Sequence, residues 1–197
     1  MNQELLQTIS FVVEIDKLKS ILRQNAVIGK ERRENDAEHS WHICVMAMVL
    51  WKYFDKHNAN MLKVIKMLLI HDLVEIYSGD AFCYDDKACE GKKEREKEAA
   101  IKIFSFLPPD DREEMMSLWL EFDECVTLEA CIAACMDRLQ PFILNYHTQG
   151  FTWSKPGVTS EKVLKRNEIL KELSPELWEY VLHAVNDSIS KGYLKEK

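Results

Sequence analysis

His71 and Asp72 stand side by side in the run Val64-Ile65-Lys66-Met67-Leu68-Leu69-Ile70-His71-Asp72-Leu73-Val74-Glu75-Ile76-Tyr77. The segment is apolar on nearly every side and holds no Gly or Pro, which predicts a buried helix. An imidazole and two carboxylates have no packing reason to be there. A buried carboxylate either takes up a proton or finds a cation. At about 100° per residue, His71 and Asp72 point about 100° apart and Glu75 falls about 40° from His71, between them. The three side chains are expected to converge on one small volume. A metal ion with a catalytic group beside it suits that volume.

Two further polar intrusions extend the set. Asp137 interrupts the small-residue apolar run from Leu128 to Leu139, where pairing with Arg138 is the competing structural explanation. His39 opens a segment that soon becomes apolar, and His42, one turn on, competes with it. Pattern alone does not choose between the two histidines. Two imidazoles and two carboxylates drawn from three helices form a mixed nitrogen and oxygen donor set. Such a set suits one divalent ion such as Mn, Co, Fe, Ni, Zn or Mg. Four protein ligands leave positions open on an octahedral ion, the mark of a catalytic site. The ion would polarise a phosphoryl oxygen and acidify bound water.

The elements that must carry these residues read as helices. Apolar residues recur at helical spacing over about 4–24. Asn35-Asp36 offers N-caps for a helix to about Phe54. The next spans about 60–77, with Gly79 as a natural stop. A loop with acids and aromatics covers 80–91. A charged helix then runs from about Gly91 toward Leu107. Pro108-Pro109 ends it and Asp110 caps another, to about Phe122. Further helices are expected over 127–147, 159–171 and 175–190. No strand alternation, repeat or linker is visible. The expected architecture is all-α: a single domain over 1–197 of about eight helices, with a metal-site core over about 30–145.

Composition narrows the classes. Six Gly and five Pro in 197 residues are few, as a helical protein requires. A net charge of −7 argues against binding nucleic-acid polymers, whose phosphates need basic patches. No run approaches the length of a membrane span, and no signal pattern opens the chain. The six cysteines, Cys44, Cys83, Cys89, Cys125, Cys131 and Cys135, include no C-x-x-C, which fits a reducing, cytoplasmic setting.

The spaced pattern His39, then His71-Asp72, then Asp137 resembles that of the HD-domain metal-dependent phosphohydrolases. Three segments carry the resemblance further: Arg33-Glu34-Asn35-Asp36-Ala37-Glu38-His39-Ser40, His71-Asp72-Leu73-Val74-Glu75-Ile76 with Gly79-Asp80, and Met136-Asp137-Arg138-Leu139-Gln140-Pro141. They look like the branch containing the bacterial 5′-deoxynucleotidase and its eukaryotic relatives, over about residues 10–190. The resemblance implies an HD-domain helical bundle with His39, His71, Asp72 and Asp137 as metal ligands. It implies Glu75 as the catalytic acid and Asp80 as a second functional acid near the sugar. Arg23 is the nearest match to the family's phosphate-binding Arg, with Arg32 and Arg33 as further candidates. Gln24 stands where a sugar-selecting tryptophan follows that Arg in the bacterial relative. A homodimer cleaving nucleoside 5′-monophosphates is implied. Two other readings share these residues: action on a cyclic or triphosphate nucleotide, and a metal-bearing protein without catalysis.

The remaining features have plainer readings. Lys92 to Glu98 reads as a solvated helix face laced with i,i+4 pairs. Tyr77, Phe82 and Tyr84 flank Asp80 and are candidates to line a base pocket. Trp119, Trp153 and Trp178 read as packing residues, and His57, His147 and His183 receive no role.

Overall fold

A computed structural model describes residues 2–54, 58–85, 87 and 90–197; Cys89 and His57 lie outside the described residues. The chain opens with α1 (Gln3–Ile15), capped by the Asn2 side chain, and a 3₁₀ turn, Asp16–Ser20. It then runs as a strand, β1 (Leu22–Ala26), paired antiparallel with β2 (Arg33–Asn35). The continuous helix expected over 4–24 is therefore cut short. Much of α1's apolar spacing faces outward: Leu5, Leu6, Ile9, Val12 and Val13 are exposed, and Phe11 is buried. The hairpin escaped the sequence reading because its strands are short and polar, with no period-2 apolar signal. Its inward positions in β1 are Arg23 and Asn25, both buried.

β2 feeds straight into α2 (Asp36–Leu50). Asn35 accepts from the Glu38 backbone N–H and the Glu38 carboxylate accepts from that of Asn35, a complete capping box. The chain continues through α3 (Met61–Ile70), a 3₁₀ turn (His71–Val74) and the short α4 (Glu75–Ser78). After the loop come α5 (Lys92–Phe104), α6 (Pro109–Glu124) and α7 (Leu128–His147). Pro109 is itself the first residue of α6, where its missing N–H costs nothing, so Asp110 lies inside the helix rather than capping it. The chain closes with α8 (Ser160–Asn167), α9 (Leu170–Leu173) and α10 (Pro175–Ser190). The architecture is all-α apart from the hairpin.

Helices α2, α3 and α7 pack against one another at the centre. Ala130, Ala133 and Ala134 are buried on α7, and their small side chains let the neighbouring helices approach closely. The turn after α7 folds back beneath the C-terminal tail. A Cβ on Gly150 would meet the Tyr193 carbonyl oxygen at 2.2 Å, and its φ of +75° suits only glycine, so this closure depends on that residue. No helix among the described residues is long and apolar enough to cross a membrane.

Candidate metal centre and its cavity

The predicted helix over 60–77 tightens into a 3₁₀ turn at His71–Val74. This changes the geometry. At about 120° per residue, Glu75 rotates onto the side of Asp72 rather than between Asp72 and His71. The groupings follow. His39, His71 and Asp72 present donor atoms within 4.8 Å of one another, while Glu75 groups with Asp72 and Asp36. Asp36 entered the sequence reading only as a capping candidate. It is fully buried beside Glu75.

Asp137, on α7, stands beside the first group, facing both imidazoles. Its Oδ1 lies 3.2 Å from His39 Nε2 and 3.6 Å from His71 Nε2. Asp72 lies 3.7 Å from His39 Nε2 through Oδ2 and 3.1 Å from His71 Nε2 through Oδ1. Donors about 2.1 Å from a common ion stand about 3.0–3.4 Å apart, so these spacings fit a cation with small adjustments.

The hydrogen bonds behind the imidazoles point the same way. His39 Nδ1 lies 3.0 Å from Gln140 Oε1. Gln140 is oriented in turn by donating through Nε2 to Glu34 Oε1 at 2.7 Å, with His42 Nδ1 at 3.2 Å. His71 Nδ1 faces the Leu68 carbonyl at 2.9 Å. Both rings thus hold their proton on Nδ1 and aim the Nε2 lone pair at the carboxylates. His71 Nε2 is buried with no hydrogen-bond partner. Lone pairs converging on ionised carboxylates require a cation or a proton between them. His42, the competitor of His39, sits behind Gln140.

Titration behaviour separates the acids. Burial opposes ionisation of Asp137 and Asp72. For Asp137 the adjacent imidazoles of His39 and His71 outweigh it, and for Asp72 the charges of His71 and Arg23 do, so both are held below the usual carboxylate range. Burial, then the charges of Asp72 and Asp36, holds Glu75 well above that range. Burial and Asp72 push Asp36 up to about 7, and burial lifts Glu34 to about 7. Glu75 Oε2 and both Asp36 oxygens lack any other partner, and a proton held between the two residues satisfies both.

Arg23 reaches into this group from β1. Its NH1 donates to Asp72 Oδ2 at 2.6 Å and lies 3.6 Å from Asp36, with Glu34 and Asp137 each at 3.9 Å. Arg33 is not brought to the site. Its guanidinium donates to the Leu22 and Arg23 carbonyls of β1, holding the strand that presents Arg23. Arg32 pairs on the surface with Glu38. Asp80 lies on the cavity wall, where Gln24 Nε2 donates to it at 3.4 Å and Lys155 Nζ donates to Gln24 Oε1 at 2.8 Å. Phe82 and Tyr84 line the same cavity. Tyr77 instead donates its hydroxyl to Glu14 of α1.

Two cavities of about 310 and 220 Å³ meet at the donor group. Asp72, Glu75, Asp137, Lys92, Arg138 and Arg166 line both. From sequence, Lys92 belongs to a solvated helix face with a role in closing the site as the alternative, Arg138 pairs with a nearby acid, and Arg166 carries no signal. Nothing in their local sequence distinguishes them from surface charges; only the packing of α5 on α4 and the His71–Val74 turn, and of α8 on α7, turns them inward.

A helical bundle that gathers two buried imidazoles, a buried carboxylate and the half-buried Asp137 at one place is the frame of a metal-dependent hydrolase. The sequence profile of the HD domain matches residues 15–178, and the chain belongs to the HD-domain family. It is 33% identical over 135 residues to the 5′-deoxynucleotidase HDDC2 of Dictyostelium discoideum, covering 66% of this chain and 71% of that protein. The human protein of that name is 30% identical, over 67% of this chain and 63% of its own length. The crystal structure of a predicted metal-dependent phosphohydrolase from Magnetospirillum magnetotacticum MS-1 superimposes with a TM-score of 0.89 and 45% identity. That match covers 98% of this chain and 96% of the other.

Proposed function

We propose that the protein is a metal-dependent phosphomonoesterase acting on nucleoside or deoxynucleoside 5′-monophosphates. The carrying observation is Glu75: a buried acid whose pKa is raised by burial and by Asp72 and Asp36, set beside the His and Asp donor group at the floor of a cavity. A scaffold has no use for an acid with so raised a pKa beside a cation site. The relatives called 5′-deoxynucleotidases support the substrate class.

In this reading His39, His71, Asp72 and Asp137 hold one divalent ion. When bound, the ion supplies an electrophile for the phosphoryl group and acidifies water. Asp72 orients the attacking water through its carboxylate. Water attacks phosphorus in line, the bond from phosphorus to the 5′-oxygen breaks, Glu75 passes its proton to that oxygen, and one proton of the attacking water stays with orthophosphate while the other reprotonates Glu75. Arg23 offsets the acids that surround the reacting group. Asp80, Phe82 and Tyr84 form the wall that meets the sugar and base. A panel of nucleoside monophosphates, cyclic nucleotides and triphosphates with the Mn- or Co-loaded protein tests this. Orthophosphate should appear from the 5′-monophosphates. Opened rings or pyrophosphate instead would move the assignment to another nucleotide reaction, and no product from any of them would leave a non-catalytic metal protein.

The reading includes a homodimer in the cytosol. The outward apolar residues of α1 and those of α2, Trp41, Val45, Met48 and Val49, offer surface for a second copy. A monomer by light scattering at micromolar concentration would sink that part.

A further inference from the structure

We propose that Arg166 grips the substrate's phosphate oxygens. This rests on the phosphomonoesterase reading. A phosphate monoester brings two negative charges to a cavity floor already crowded with acids, so it needs a cation with hydrogen-bond donors to spare. Arg23 NH1 is committed to Asp72 at 2.6 Å, and Asp36, Glu34 and Asp137 stand within 3.9 Å, so much of its charge answers the protein's own carboxylates and a second cation is called for. Lys92 is drawn toward Glu96 at 3.2 Å.

Arg166 is placed differently. It comes from α8, outside the elements that build the donor group. Its NH2 lies 3.9 Å from Asp137 Oδ2, beyond hydrogen-bond reach, on the oxygen of that carboxylate other than the one facing the imidazoles. The side chain is 31% exposed and lines both cavities at their junction. A planar fork of N–H donors at that distance is long-range compensation for Asp137 and leaves the guanidinium free to bind two oxygens of a phosphate. Its base is rigid: the neighbouring Asn167 is buried, donates to the Val163 carbonyl at 2.9 Å, and fixes the last turn of α8.

The test uses the full chain loaded with Mn, as wild type, R166Q and R166K. Hydrolysis of 2′-deoxyadenosine 5′-monophosphate is followed together with inhibition by inorganic phosphate and metal content. R166Q should raise KM and the phosphate inhibition constant about ten- to a hundredfold, the worth of a charge-assisted contact. Metal content should be unchanged, and R166K should recover part of the loss. Wild-type phosphate inhibition in R166Q overturns the proposal. So does a loss that excess Mn reverses, because Arg166 would then act through Asp137. Should wild type release no phosphate, the reaction reading fails. Calorimetric titration of inorganic phosphate into Mn-loaded wild type and R166Q still decides the Arg166 assignment: equal affinities overturn it and weaker binding by R166Q sustains it.

Discussion

The floor and the rim of the cavity are built on opposite plans. On the floor, His39, His71, Asp72 and Asp137 are packed so closely that each answers the others, with Gln140, Glu34 and the Leu68 carbonyl fixed behind them. At the rim, Arg166 and Asp80 reach in from α8 and the loop after α4 and keep polar atoms to spare. A floor whose rigidly held lone pairs and carboxylates need a cation can keep one in place through many turnovers. A rim with unused donors can bind a substrate and release it. The difference predicts that floor substitutions act on metal and chemistry together, whereas rim substitutions act on substrate.

The largest effect expected is at the floor. Asp72→Asn keeps the shape but removes the charge that faces both imidazoles and Arg23. Metal content by elemental analysis and phosphate release should both fall to background. An Asp72→Asn protein that keeps its metal and its turnover would show that the floor does not act as one unit. Next comes Glu75→Gln, which removes the transferable proton and leaves the donor group intact. Turnover should drop about 10²- to 10⁴-fold while metal content stays. Full activity on every substrate wild type accepts would remove Glu75 from the chemistry.

The same division explains what the sequence made legible. His71, Asp72 and Asp137 stand out because polar residues in apolar helical runs are anomalous on local grounds. Arg23 and Arg166 do not. Arg23 lies on a strand too short and polar to register, and Arg166 follows Glu161, Lys162 and Lys165 in a segment that reads as a solvated face. Glu75 was legible as an oddity, yet its partner was misplaced. The 3₁₀ turn at His71–Val74 depends on packing around α3, which no local pattern encodes. The family resemblance implied roles for Arg23 and Arg33 alike. Only the fold shows one guanidinium among the acids and the other tied to strand carbonyls.

A smaller effect tests the support behind the floor. Gln140→Leu matches the side chain in bulk and removes the acceptor for His39 Nδ1–H and the donor to Glu34. Metal affinity should fall about 10- to 100-fold, as for other losses of a group that orients a ligand, with no change in which substrates are hydrolysed. A shift in substrate preference instead would mean that floor and rim are not separable.

The smallest effect, about tenfold in metal affinity per pH unit, asks how many protons the floor holds before it binds an ion. Burial opposes a proton on His71, but Asp72 and Asp137 outweigh that and raise its pKa above the ordinary 6.5. Burial and Arg23 lower that of His39 to about 4, so it is neutral throughout the working range. Asp72 and Asp137 are ionised there as well. One proton, on His71, therefore competes with the ion. The group's folded pKa is raised, so below it the protonated form prevails and the ion must displace that proton. Affinity should rise with pH at a slope of one below the raised His71 pKa and level off once His71 has titrated, above 6.5. Titration with Mn at a series of pH values reads the slope directly. A slope of two would place a second proton on His39 and undo the argument that its Nε2 stands ready as a ligand, while a flat profile would mean that no proton bridges the floor at all.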